Sequence, residues 1–495
     1  MNRREFSKTG SLLGLGLAAG ANLAAGANLR AGEPGPQLDS EFYKEAARKL
    51  PVRHFDVVVA GAGTAGVIAA LAAARTGAST ILVEAKGYPG GTAVEGGTAL
   101  HSFYNLWKAF PGVEKKQLVR GIPAEMVDRL TARGGATGYA EMMKQYEYDS
   151  VCTAVDTEMY KLNAFEMLDE AGVYICVNTL LAGVVADKGS VRGVILESRS
   201  GREAIYASSF VDCTGYGDLA AHAGALFTEP NDYPVVNSMG LANVNVERYF
   251  SYLSSQDAVG QLAYGVRSGV PSQIVRLGSE GANGFPDEFV KGAGEIGMSA
   301  ISTTVHDDYL MFIKLNLKLP QSPTDRDTVA KAELELRKRM QKGVELFNKH
   351  IPGFERAFMS RTSPNLVIRR GRLITCDYDI THEDVIEGRH FDDDVFVYGF
   401  HDMAPRLQIR DGGSYGIPYR ALCVKGLENL YVSGMMITTD HRAHMSTRNT
   451  VSCMGQGQAS GTAAALCALN NYGSRQLPNS LLHDELEKQG VYFES

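Results

Sequence analysis

The residues best suited to bind a phosphorylated ligand form one run, Gly61-Ala62-Gly63-Thr64-Ala65-Gly66. At this spacing the first glycine permits a tight turn, and the second lets the backbone approach a pyrophosphate. The third lets a helix pack closely on the preceding strand. Glu84-Ala85 follows about 20 residues later, where a carboxylate can accept hydrogen bonds from ribose hydroxyls. The chemistry indicated is dinucleotide binding.

The elements around this run are those that such a site requires. Residues 55–60 are typical of a buried parallel strand, an alanine-rich helix extends to about Arg75, and a second strand over 79–83 ends at Glu84. The start of the helix offers unpaired N–H groups and a positive dipole end to phosphates. The order of elements favours a nucleotide site over the alternative, a βαβ unit that holds no nucleotide.

A second glycine-rich run distinguishes FAD from NAD as the expected ligand. It comprises Pro89-Gly90-Gly91-Thr92 and Glu95-Gly96-Gly97-Thr98, where a simple NAD domain returns to helix and strand. Glycines there let the backbone lie against a large cofactor without Cβ clashes. The arrangement resembles the glutathione-reductase-like FAD flavoproteins, in which this loop passes the pyrophosphate and the flavin. We therefore expect FAD, with Gly90, Gly91 and Thr92 among its contacts.

A strand-rich segment leads to a third small-residue turn. Predicted strands cover 173–178, 180–187, 190–198 and 204–211. The last strand continues into Asp212-Cys213-Thr214-Gly215-Tyr216-Gly217-Asp218. In the flavoproteins that this sequence resembles, such a strand closes the nucleotide half beneath the cofactor, which implies contacts from Gly215 and Asp218. The alternative for Asp218 is the N-cap of a following helix.

The C-terminal part supplies another strand and helix. A buried strand over 430–433 ends at Gly434, and the small-residue run 455–465, which opens with Gly455 and Gln456, is predicted to begin a helix. A helix N-terminus directed at the flavin would stabilise the negative charge that appears when flavin accepts a hydride. The alternative is a plain closing helix on the sheet.

The loop between them, residues 440–449, concentrates histidine and arginine. A neutral histidine can accept a proton as hydride leaves carbon, because its pKa lies near neutrality. We expect His444 in this role, with His441 as second choice. Arg448 or Arg442 is suited to hold a substrate carboxylate or hydroxyls through its forked donors.

Several motifs in one order carry a further resemblance. They are His350-Ile351-Pro352-Gly353-Phe354-Glu355, Ile368-Arg369-Arg370-Gly371-Arg372, Asp379-Ile380-Thr381-His382-Glu383-Asp384-Val385, Tyr415-Gly416-Ile417-Pro418-Tyr419-Arg420, Asn429-Leu430-Tyr431-Val432-Ser433-Gly434, His441-Arg442-Ala443-His444 and the run 453–463. Together they resemble a bacterial family of FAD-dependent oxidoreductases with a glutathione-reductase-type nucleotide fold and an interposed substrate domain. One position departs from related flavoproteins, which often carry Asp or Arg after the glycine that corresponds to Gly434. Here Met435 and Met436 follow, so that polar contact is absent or is made by backbone.

The predicted fold is α/β: a glutathione-reductase-like FAD-binding Rossmann domain, discontinuous in sequence, with an interposed α+β substrate domain. Its predicted segments are an export signal (1–30), a linker (31–53), the first FAD-binding part (54–226), the substrate domain (227–400), the second FAD-binding part (401–475) and a C-terminal tail (476–495). The clearest helix is predicted from Asp325 to about Lys349, with acids in its first turn and lysines late.

Composition limits the partners. A chain of 495 residues is too long to fold around one simple hydrophobic core, which indicates two or more domains. A content of 44% hydrophobic and 21% charged residues is ordinary for a globular protein. The net charge of −7 argues against a nucleic-acid partner. Seven dispersed cysteines without zinc-type spacing favour buried free thiols and no metal site. Covalent flavin attachment through Cys, His or Tyr is left open.

The N-terminus resembles a twin-arginine export signal. Asn2-Arg3-Arg4-Glu5-Phe6-Ser7-Lys8 precedes an apolar region from Leu12 to about Ala25, which is short and glycine-rich for a permanent membrane span. We therefore expect export to the periplasm and no stable span, with an uncleaved basic helix as the alternative. This pathway carries folded proteins, which suits a cofactor inserted in the cytoplasm.

These features predict an exported FAD-dependent dehydrogenase or oxidase that removes hydride from a small organic substrate, with a sugar or polyol alcohol as one candidate. One alternative is C–C bond reduction or dehydrogenation, as in fumarate-reductase-like flavoproteins with an arginine proton donor. Another is a non-catalytic FAD electron carrier. Because no second glycine fingerprint for NAD(P)H is visible, a quinone, cytochrome or oxygen is the expected electron acceptor. Candidates for the substrate side are Arg369, Arg372 and His401, with salt bridges as their alternative role.

Overall fold

A computed structural model describes residues 45–96, 100, 102–144, 151–267, 269–299, 301–306, 308–400 and 409–494. Residues 45–49 carry no regular secondary structure, and all the elements named below lie within Leu50–Ser495. The predicted export signal and His401 lie outside the described residues.

The strands of the described residues are β1 (Val52–Ala60), β2 (Thr80–Val83), β3 (Ala140–Lys144), β4 (Val151–Cys152), β5 (Tyr174–Cys176), β6 (Leu180–Asp187), β7 (Ser190–Ser198), β8 (Gly201–Asp212), β9 (Phe227–Thr228), β10 (Val235–Ala242), β11 (Val259–Arg267), β12 (Val270–Ser279), β13 (Met298–Ser299), β14 (Ile301–His306), β15 (Tyr309–Leu317), β16 (Phe358–Thr362), β17 (Leu373–Ile374), β18 (Asp394–Tyr398), β19 (Tyr415–Pro418) and β20 (Leu430–Val432). The α-helices are α1 (Thr64–Arg75), α2 (Thr92–Glu95), α3 (Ile122–Ala132), α4 (Thr157–Glu170), α5 (Asp218–His222), α6 (Val246–Ser255), α7 (Asp287–Glu295), α8 (Arg326–His350), α9 (His382–Ile386), α10 (His441–Thr447), α11 (Thr450–Asn470) and α12 (Asn479–Lys488). Short 3₁₀ turns cover Trp107–Ala109, Arg410–Gly412, Tyr419–Ala421 and Ser474–Gln476. Among the described residues, no helix combines the length and apolarity needed to cross a membrane.

The first sheet has the strand order β5-β2-β1-β8-β7-β6, with β20 also paired to β8. The strands β5, β2, β1, β8 and β20 are parallel, whereas β8, β7 and β6 form antiparallel pairs. The carboxyl ends of the parallel strands therefore meet at one edge, which is where open α/β sheets bind ligands. The α/β prediction with a Rossmann-type core is confirmed.

Several predicted elements are found at or near their expected bounds. The helix predicted to extend to Arg75 is α1, and β6 and β7 have the predicted limits. Helix α8 begins after Asp325, whose carboxylate accepts a hydrogen bond from the Thr328 N–H at 2.7 Å. This bond satisfies one of the unpaired donors of the first turn, so Asp325 is the N-cap of the helix and not part of its first turn.

Helix α11 begins five residues earlier than predicted, because the run that opens with Gly455 lies inside it. The glycines of that run bring two backbones together. A Cβ added to Gly457 would lie 2.2 Å from the Ala65 carbonyl oxygen, and one added to Gly461 would lie 2.1 Å from that of Ala69. The small residues therefore fix the crossing of α11 over α1.

The second sheet is antiparallel, with the order β16-β10-β15-β14-β12-β11-β3-β4 and β13 paired to β15. One face is apolar, and Met239, Ile313 and Leu315 share a buried core there with Leu336 and Phe347 of α8. Because side chains alternate along a strand, neighbours such as Ser238 and Lys314 point to the opposite face. That polar face borders the functional site.

The packing assigns three segments differently from the predicted segment limits. Strands β3 and β4 fall within 54–226 but belong to the second sheet. Residues such as Ile374 and Phe396, within 227–400, belong to the core of the first sheet. The predicted C-terminal tail contains α12, whose Leu482 and Leu486 are buried in that same core. An apolar residue does not reveal from its type alone which of two cores it joins.

Candidate functional site

A cavity of about 720 Å³ lies between the strand ends of the first sheet and the polar face of the second. Its walls include Gly61, Gly63, Thr64 and Ala65 from the first glycine-rich turn. Helix α1 starts after Gly63, and its first internal backbone bond runs from the Val67 N–H to the Gly63 carbonyl at 3.1 Å. The N–H groups of the first helical residues thus lack intrahelical partners at the cavity wall, where an anion would be stabilised.

The glycines of this turn have distinct roles. Gly61 has a φ of +91°, and a Cβ there would lie 2.5 Å from the Cys213 carbonyl oxygen. A Cβ on Gly66 would lie 1.7 Å from the Gly61 carbonyl oxygen. Gly66 is buried and does not line the cavity, so it serves the packing of α1 on β1.

Glu84 follows β2 and lines the cavity together with Ala85. Its carboxylate accepts hydrogen bonds from the N–H groups of Ala62 at 2.8 Å and Lys86 at 2.9 Å. A carboxylate has about four acceptor positions, so these bonds leave capacity for ribose hydroxyls. Burial raises the pKa of Glu84, while the two backbone donors oppose that shift.

The second glycine-rich run lies directly against the first. The Gly90 N–H donates to the Ala62 carbonyl at 2.8 Å, and a Cβ on Gly91 would lie 2.7 Å from the Gly63 Cα. Gly91, which has a φ of +50°, and Thr92 line the cavity, whereas Gly90 supports them from behind. Glycine is therefore needed here for contact between the two loops as well as for access to a ligand.

Asp212, which sequence reasoning did not single out, organises the third turn. Its side chain is fully buried and accepts hydrogen bonds from the Thr214 N–H at 3.0 Å, the Thr214 hydroxyl at 2.8 Å and the Ala220 N–H at 2.9 Å. Burial raises the pKa of Asp212. These bonds hold Gly215 in the cavity wall. An acid at the end of a strand, two residues before Thr214-Gly215, was the available signal.

Asp218 lies in the cavity wall but is not a helix N-cap. Gly217 occupies the cap position, and Asp218 is the first residue of α5. Its carboxylate accepts a hydrogen bond from Arg372 Nη1 at 2.9 Å. This ion pair is the alternative role predicted for Arg372, which does not line the cavity.

The end of β20 and the start of α11 complete the nucleotide side. Gly434, Asn449 and Thr450 line the cavity, so the helix N-terminus at the wall is formed by residues 449–452. Gln456 lies one turn further along and is buried. Its Oε1 accepts from the Gly434 N–H at 2.8 Å, and its Nε2 donates to the Thr447 carbonyl at 2.8 Å. Neither Gly455 nor Gln456 lines the cavity, so Gln456 positions the strand end and does not border a ligand.

Met435 and Met436 follow Gly434, where related flavoproteins often carry Asp or Arg, and the two methionines have different contacts. Met435 lines the cavity, and the Met436 sulfur accepts the Gly217 N–H at 2.8 Å. The second methionine thus stabilises the neighbouring turn in place of a polar side chain directed at the cavity.

The nucleotide side of the cavity meets the requirements of FAD. Its volume lies within the range of about 300–1,000 Å³ of ligand pockets. A helix N-terminus suits a pyrophosphate, a carboxylate with spare acceptors suits a ribose, and the loop of Gly91 leaves room beside both. The sequence model of the family described as FAD dependent oxidoreductase matches residues 56–486. The chain belongs to this family.

Individual relatives of this FAD-dependent oxidoreductase match over shorter stretches. A tRNA uridine 5-carboxymethylaminomethyl modification enzyme MnmG from Chlorobium phaeobacteroides is 32% identical over 164 residues, 32% of this chain and 24% of that protein. A 3-oxosteroid 1-dehydrogenase from Mycobacterium tuberculosis is 44% identical over 75 residues, 15% of this chain and 12% of that protein. The chain thus spans about a quarter or less of these relatives.

Solved structures similar to this oxidoreductase include a geranylgeranyl bacteriochlorophyll reductase-like protein from Thermoplasma acidophilum. It has a TM-score of 0.44 and 12% identity over 88% of this chain and 83% of that one. A flavoprotein/dehydrogenase from Cytophaga hutchinsonii has a TM-score of 0.42 and 11% identity over 85% and 80% of the two chains.

The two histidines expected at the catalytic centre of the oxidoreductase do not line the cavity. His444 is fully buried, and its Nε2 donates to the Arg369 carbonyl at 2.9 Å while its Nδ1 lies 3.4 Å from the Thr439 hydroxyl. Burial and the nearby Arg448 hold the pKa of His444 well below its usual value. With Nε2 donating and Nδ1 facing a hydroxyl, the ring presents no acceptor to a substrate, which corrects the expected role of His444.

His441 is half exposed and pairs with Asp232, with Nδ1 and Oδ2 2.8 Å apart. The same carboxylate lies 3.1 Å from Arg370 Nε. The ring of His441 is thus held by a carboxylate that also pairs with Arg370, and because His441 does not line the cavity, its expected role as a second base is corrected as well.

Two arginines do line the cavity. The guanidinium groups of Arg448 and Arg369 lie 5.6 and 5.0 Å from the centre of the Tyr233 ring, a distance suited to cation–π contact. Arg448 follows α10 directly and precedes α11, so the loop that brings the helix end to the cavity brings this side chain too. Arg442, on the exposed face of α10, is not among the lining residues.

Two of the seven cysteines border the cavity, Cys213 and Cys453. Burial raises the pKa of Cys453 to about 12 and that of Cys213 well above its usual value. Both thiols are therefore neutral at physiological pH. Because the thiolate is the reactive form, neither environment activates a cysteine for covalent attachment.

Proposed function

We propose that this FAD-dependent oxidoreductase transfers a hydride between FAD and a carbon of a small organic substrate held against the antiparallel sheet. The observation that carries the proposal is the shared cavity, walled on one side by the nucleotide-binding turns and on the other by side chains of β10, β12 and β15. FAD, when bound, supplies the two-electron acceptor or donor. A substrate bound in the remaining space would contact the second sheet while its reacting carbon faces the cofactor.

Arg448 is the side chain that we propose to act on the substrate. No histidine occurs among the described residues that line the cavity, whereas Arg448 does. A guanidinium keeps its positive charge at all physiological pH values, and its fork of N–H donors binds oxyanions. It is therefore suited to orient an oxygen of the substrate and to stabilise negative charge that develops there during hydride transfer.

The same observation favours, as a second candidate, reduction or dehydrogenation of a C–C bond. In the reducing direction, hydride adds to one carbon of a double bond, Arg448 donates a proton to the neighbouring carbon, and water reprotonates the arginine. The partial match to a protein named 3-oxosteroid 1-dehydrogenase supports this candidate for the chain.

The test is anaerobic reduction of the purified holoenzyme by alcohols, polyols, sugars and saturated acids, followed by flavin absorbance. For a compound that bleaches the flavin, Arg448→Met should slow bleaching by about 100-fold, equivalent to about 2.7 kcal/mol, with FAD content unchanged. Arg442→Met removes a neighbouring charge outside the cavity and is the matched control. An electrostatic role predicts partial recovery in Arg448→Lys with an unchanged pH profile. A proton-donor role predicts a new pH dependence in that variant. Equal rates for wild type and Arg448→Met would refute both roles.

For the second half-reaction and the location, we propose a quinone, cytochrome or oxygen as electron acceptor and export by the twin-arginine route. The sequence has no second glycine fingerprint, which supports an electron acceptor other than NAD(P)H. The run Asn2-Arg3-Arg4 supports export. Stopped-flow reoxidation of the reduced protein by each acceptor would distinguish the three. Export predicts that osmotic shock releases the parent protein, whereas the double variant Arg3→Lys/Arg4→Lys stays in the cytoplasm. The same distribution of both proteins between the periplasmic and cytoplasmic fractions would refute export.

A further inference from the structure

We infer that Tyr216 is a further side chain that contacts the substrate, and that its phenolic hydroxyl donates a hydrogen bond to an oxygen on the reacting carbon. The substrate class that this role assigns is alcohols and their carbonyl products. The inference rests on the proposed function, because it names a residue and a substrate class for the same cavity. It is carried by the position, packing and hydrogen bonding of Tyr216.

Tyr216 lies in the turn that joins β8 to α5, between Gly215 and Gly217, and it lines the cavity. Both glycines have a positive φ, +77° and +68°, which residues with side chains rarely adopt. A Cβ on Gly217 would also lie 2.6 Å from the Ile374 side chain. This part of the turn therefore accommodates a side chain at Tyr216 and disfavours one at either neighbour.

Hydrogen bonds on both sides hold the backbone of Tyr216 in place. Its carbonyl accepts from Arg372 Nη1 at 3.1 Å, and the same nitrogen donates to the Asp218 carboxylate at 2.9 Å. Its N–H donates to the Thr214 hydroxyl at 3.4 Å. The segment that carries the phenol is thus preorganised, which reduces the entropy lost when the phenol binds a ligand.

The side chain of Tyr216 connects the two sides of the cavity. Its backbone follows β8 of the first sheet, whereas its side chain packs against the buried core of the second sheet. Met435, another lining residue, packs against both cores and lies 3.4 Å from the Cβ position at Gly215. Tyr216 therefore lies where the nucleotide side meets the substrate side. The reacting carbon belongs at such a junction, because hydride passes directly between two adjacent molecules.

The hydroxyl of Tyr216 has no hydrogen-bond partner among the described residues. Unlike the Tyr160 hydroxyl, which is unpartnered and shut off from solvent, it is accessible from the cavity. Burial and the negative charge of Glu95 raise the pKa of Tyr216 to about 12. The hydroxyl consequently keeps its proton at physiological pH and can donate it to an acceptor on a ligand.

A protonated phenol at this junction suits an oxygen on which negative charge develops. In the reducing direction, hydride forms a C–H bond at the carbonyl carbon, and the electron pair of the C=O π bond moves to the oxygen. The Tyr216 O–H then supplies the proton of the new alcohol, and water reprotonates the phenolate; alcohol oxidation is the reverse. Because the hydrogen bond strengthens as charge develops, it lowers the barrier more than it tightens binding. A C–C double bond has no such acceptor, so alcohols and carbonyl compounds are the expected class.

The binding test uses Tyr216→Phe, which removes only the hydroxyl, and Tyr264→Phe as the matched control. Tyr264 lies on β11, is 39% exposed and does not line the cavity. The probes are cyclohexanone, dihydroxyacetone, fructose and gluconolactone. Their binding to the oxidised holoenzyme is measured by perturbation of the flavin absorbance, which requires no turnover. We expect at least one probe to bind the wild type, with a Kd about tenfold higher in Tyr216→Phe and unchanged in the control.

The rate test follows anaerobic reoxidation of the dithionite-reduced holoenzyme by the same four compounds. Tyr216→Phe should slow this reaction by about 100-fold, with FAD content unchanged, because one donor to the developing oxyanion is lost.

Three outcomes would overturn the inference. They are no binding of any probe to the wild type, the same Kd and rate in wild type and Tyr216→Phe, and a raised Kd for FAD with unchanged probe binding. The third would place the hydroxyl against the cofactor. Weaker probe binding in Tyr216→Phe, with no reduction of any probe and no bleaching by any alcohol, would support the hydrogen bond and count against hydride transfer. The two proposals therefore fail separately.

Discussion

Replacing Gly461 with alanine tests whether the crossing of α11 over α1 holds the FAD site together. Both backbones come so close at this point that an added Cβ would lie 2.1 Å from the Ala69 carbonyl oxygen. Non-bonded carbon atoms prefer separations of roughly 3.5–4.0 Å, so the two helices must move apart by about 1 Å even to reach a tight contact. The obstacle is backbone, which cannot rotate away.

The expected loss of stability follows from two opposing effects. Alanine is favoured over glycine in a helix by about 1 kcal/mol. Overpacking a tight contact costs about 1–3 kcal/mol, and a backbone obstacle favours the upper end. The net change is a decrease of about 2 kcal/mol in the free energy of unfolding. Because α1 carries the N-terminus at the cavity wall, its displacement should also raise the Kd for FAD about tenfold.

The assay is denaturant unfolding of the apoprotein together with a fluorescence titration of FAD. Gly294→Ala is the matched control, since Gly294 lies in α7 with nothing within 4 Å of its Cβ position. That variant should gain about 0.5–1 kcal/mol with unchanged FAD affinity. If Gly461→Ala is as stable as Gly294→Ala and binds FAD as tightly as the parent protein, the close crossing does not support the site.

Three further changes have defined outcomes. Glu84→Gln replaces an acceptor of charge-assisted bonds with a neutral amide, so the Kd for FAD should rise at least tenfold in the same titration; unchanged affinity would remove Glu84 from the ribose site. Gln456→Met leaves the Gly434 N–H without its 2.8 Å partner, so unfolding should require about 2–4 kcal/mol less in denaturant, and a loss under 1 kcal/mol would contradict the clamp. The folded protein holds His444 neutral with a lowered pKa. Below pH 6.5, the ordinary pKa of histidine, the unfolded chain therefore binds a proton at this residue that the folded chain does not bind. The free energy of unfolding then decreases by up to about 1.4 kcal/mol for each pH unit. Denaturant unfolding between pH 6.5 and 5 should therefore show a shallower fall for His444→Gln, and parallel curves would show that His444 titrates freely.

The chemistry of the nucleotide side followed from sequence because it depends on local order. The strand, the glycine turn, the helix and Glu84 lie within 30 residues of each other, and each has a requirement that only a few residue types meet. Where neighbours in sequence are also neighbours in space, residue type and spacing suffice. The cofactor and the α/β fold could be predicted for this reason.

The substrate side could not be predicted, because it depends on which residues the tertiary structure brings together. Arg276 and Lys314 are separated by nearly 40 residues and face the cavity only through the register of the second sheet. His444 shows the converse: its residue type suits proton transfer, yet packing directs its ring to a backbone carbonyl.

By itself the sequence determined that a turn of three glycines, with an acid at the end of the next strand, would bind a dinucleotide. Steric limits on the backbone and the fixed geometry of a helix N-terminus leave little else for those residues to do. Only the tertiary structure decided which side chains face the remaining space, since the face on which a strand residue lies is set by pairing with distant strands.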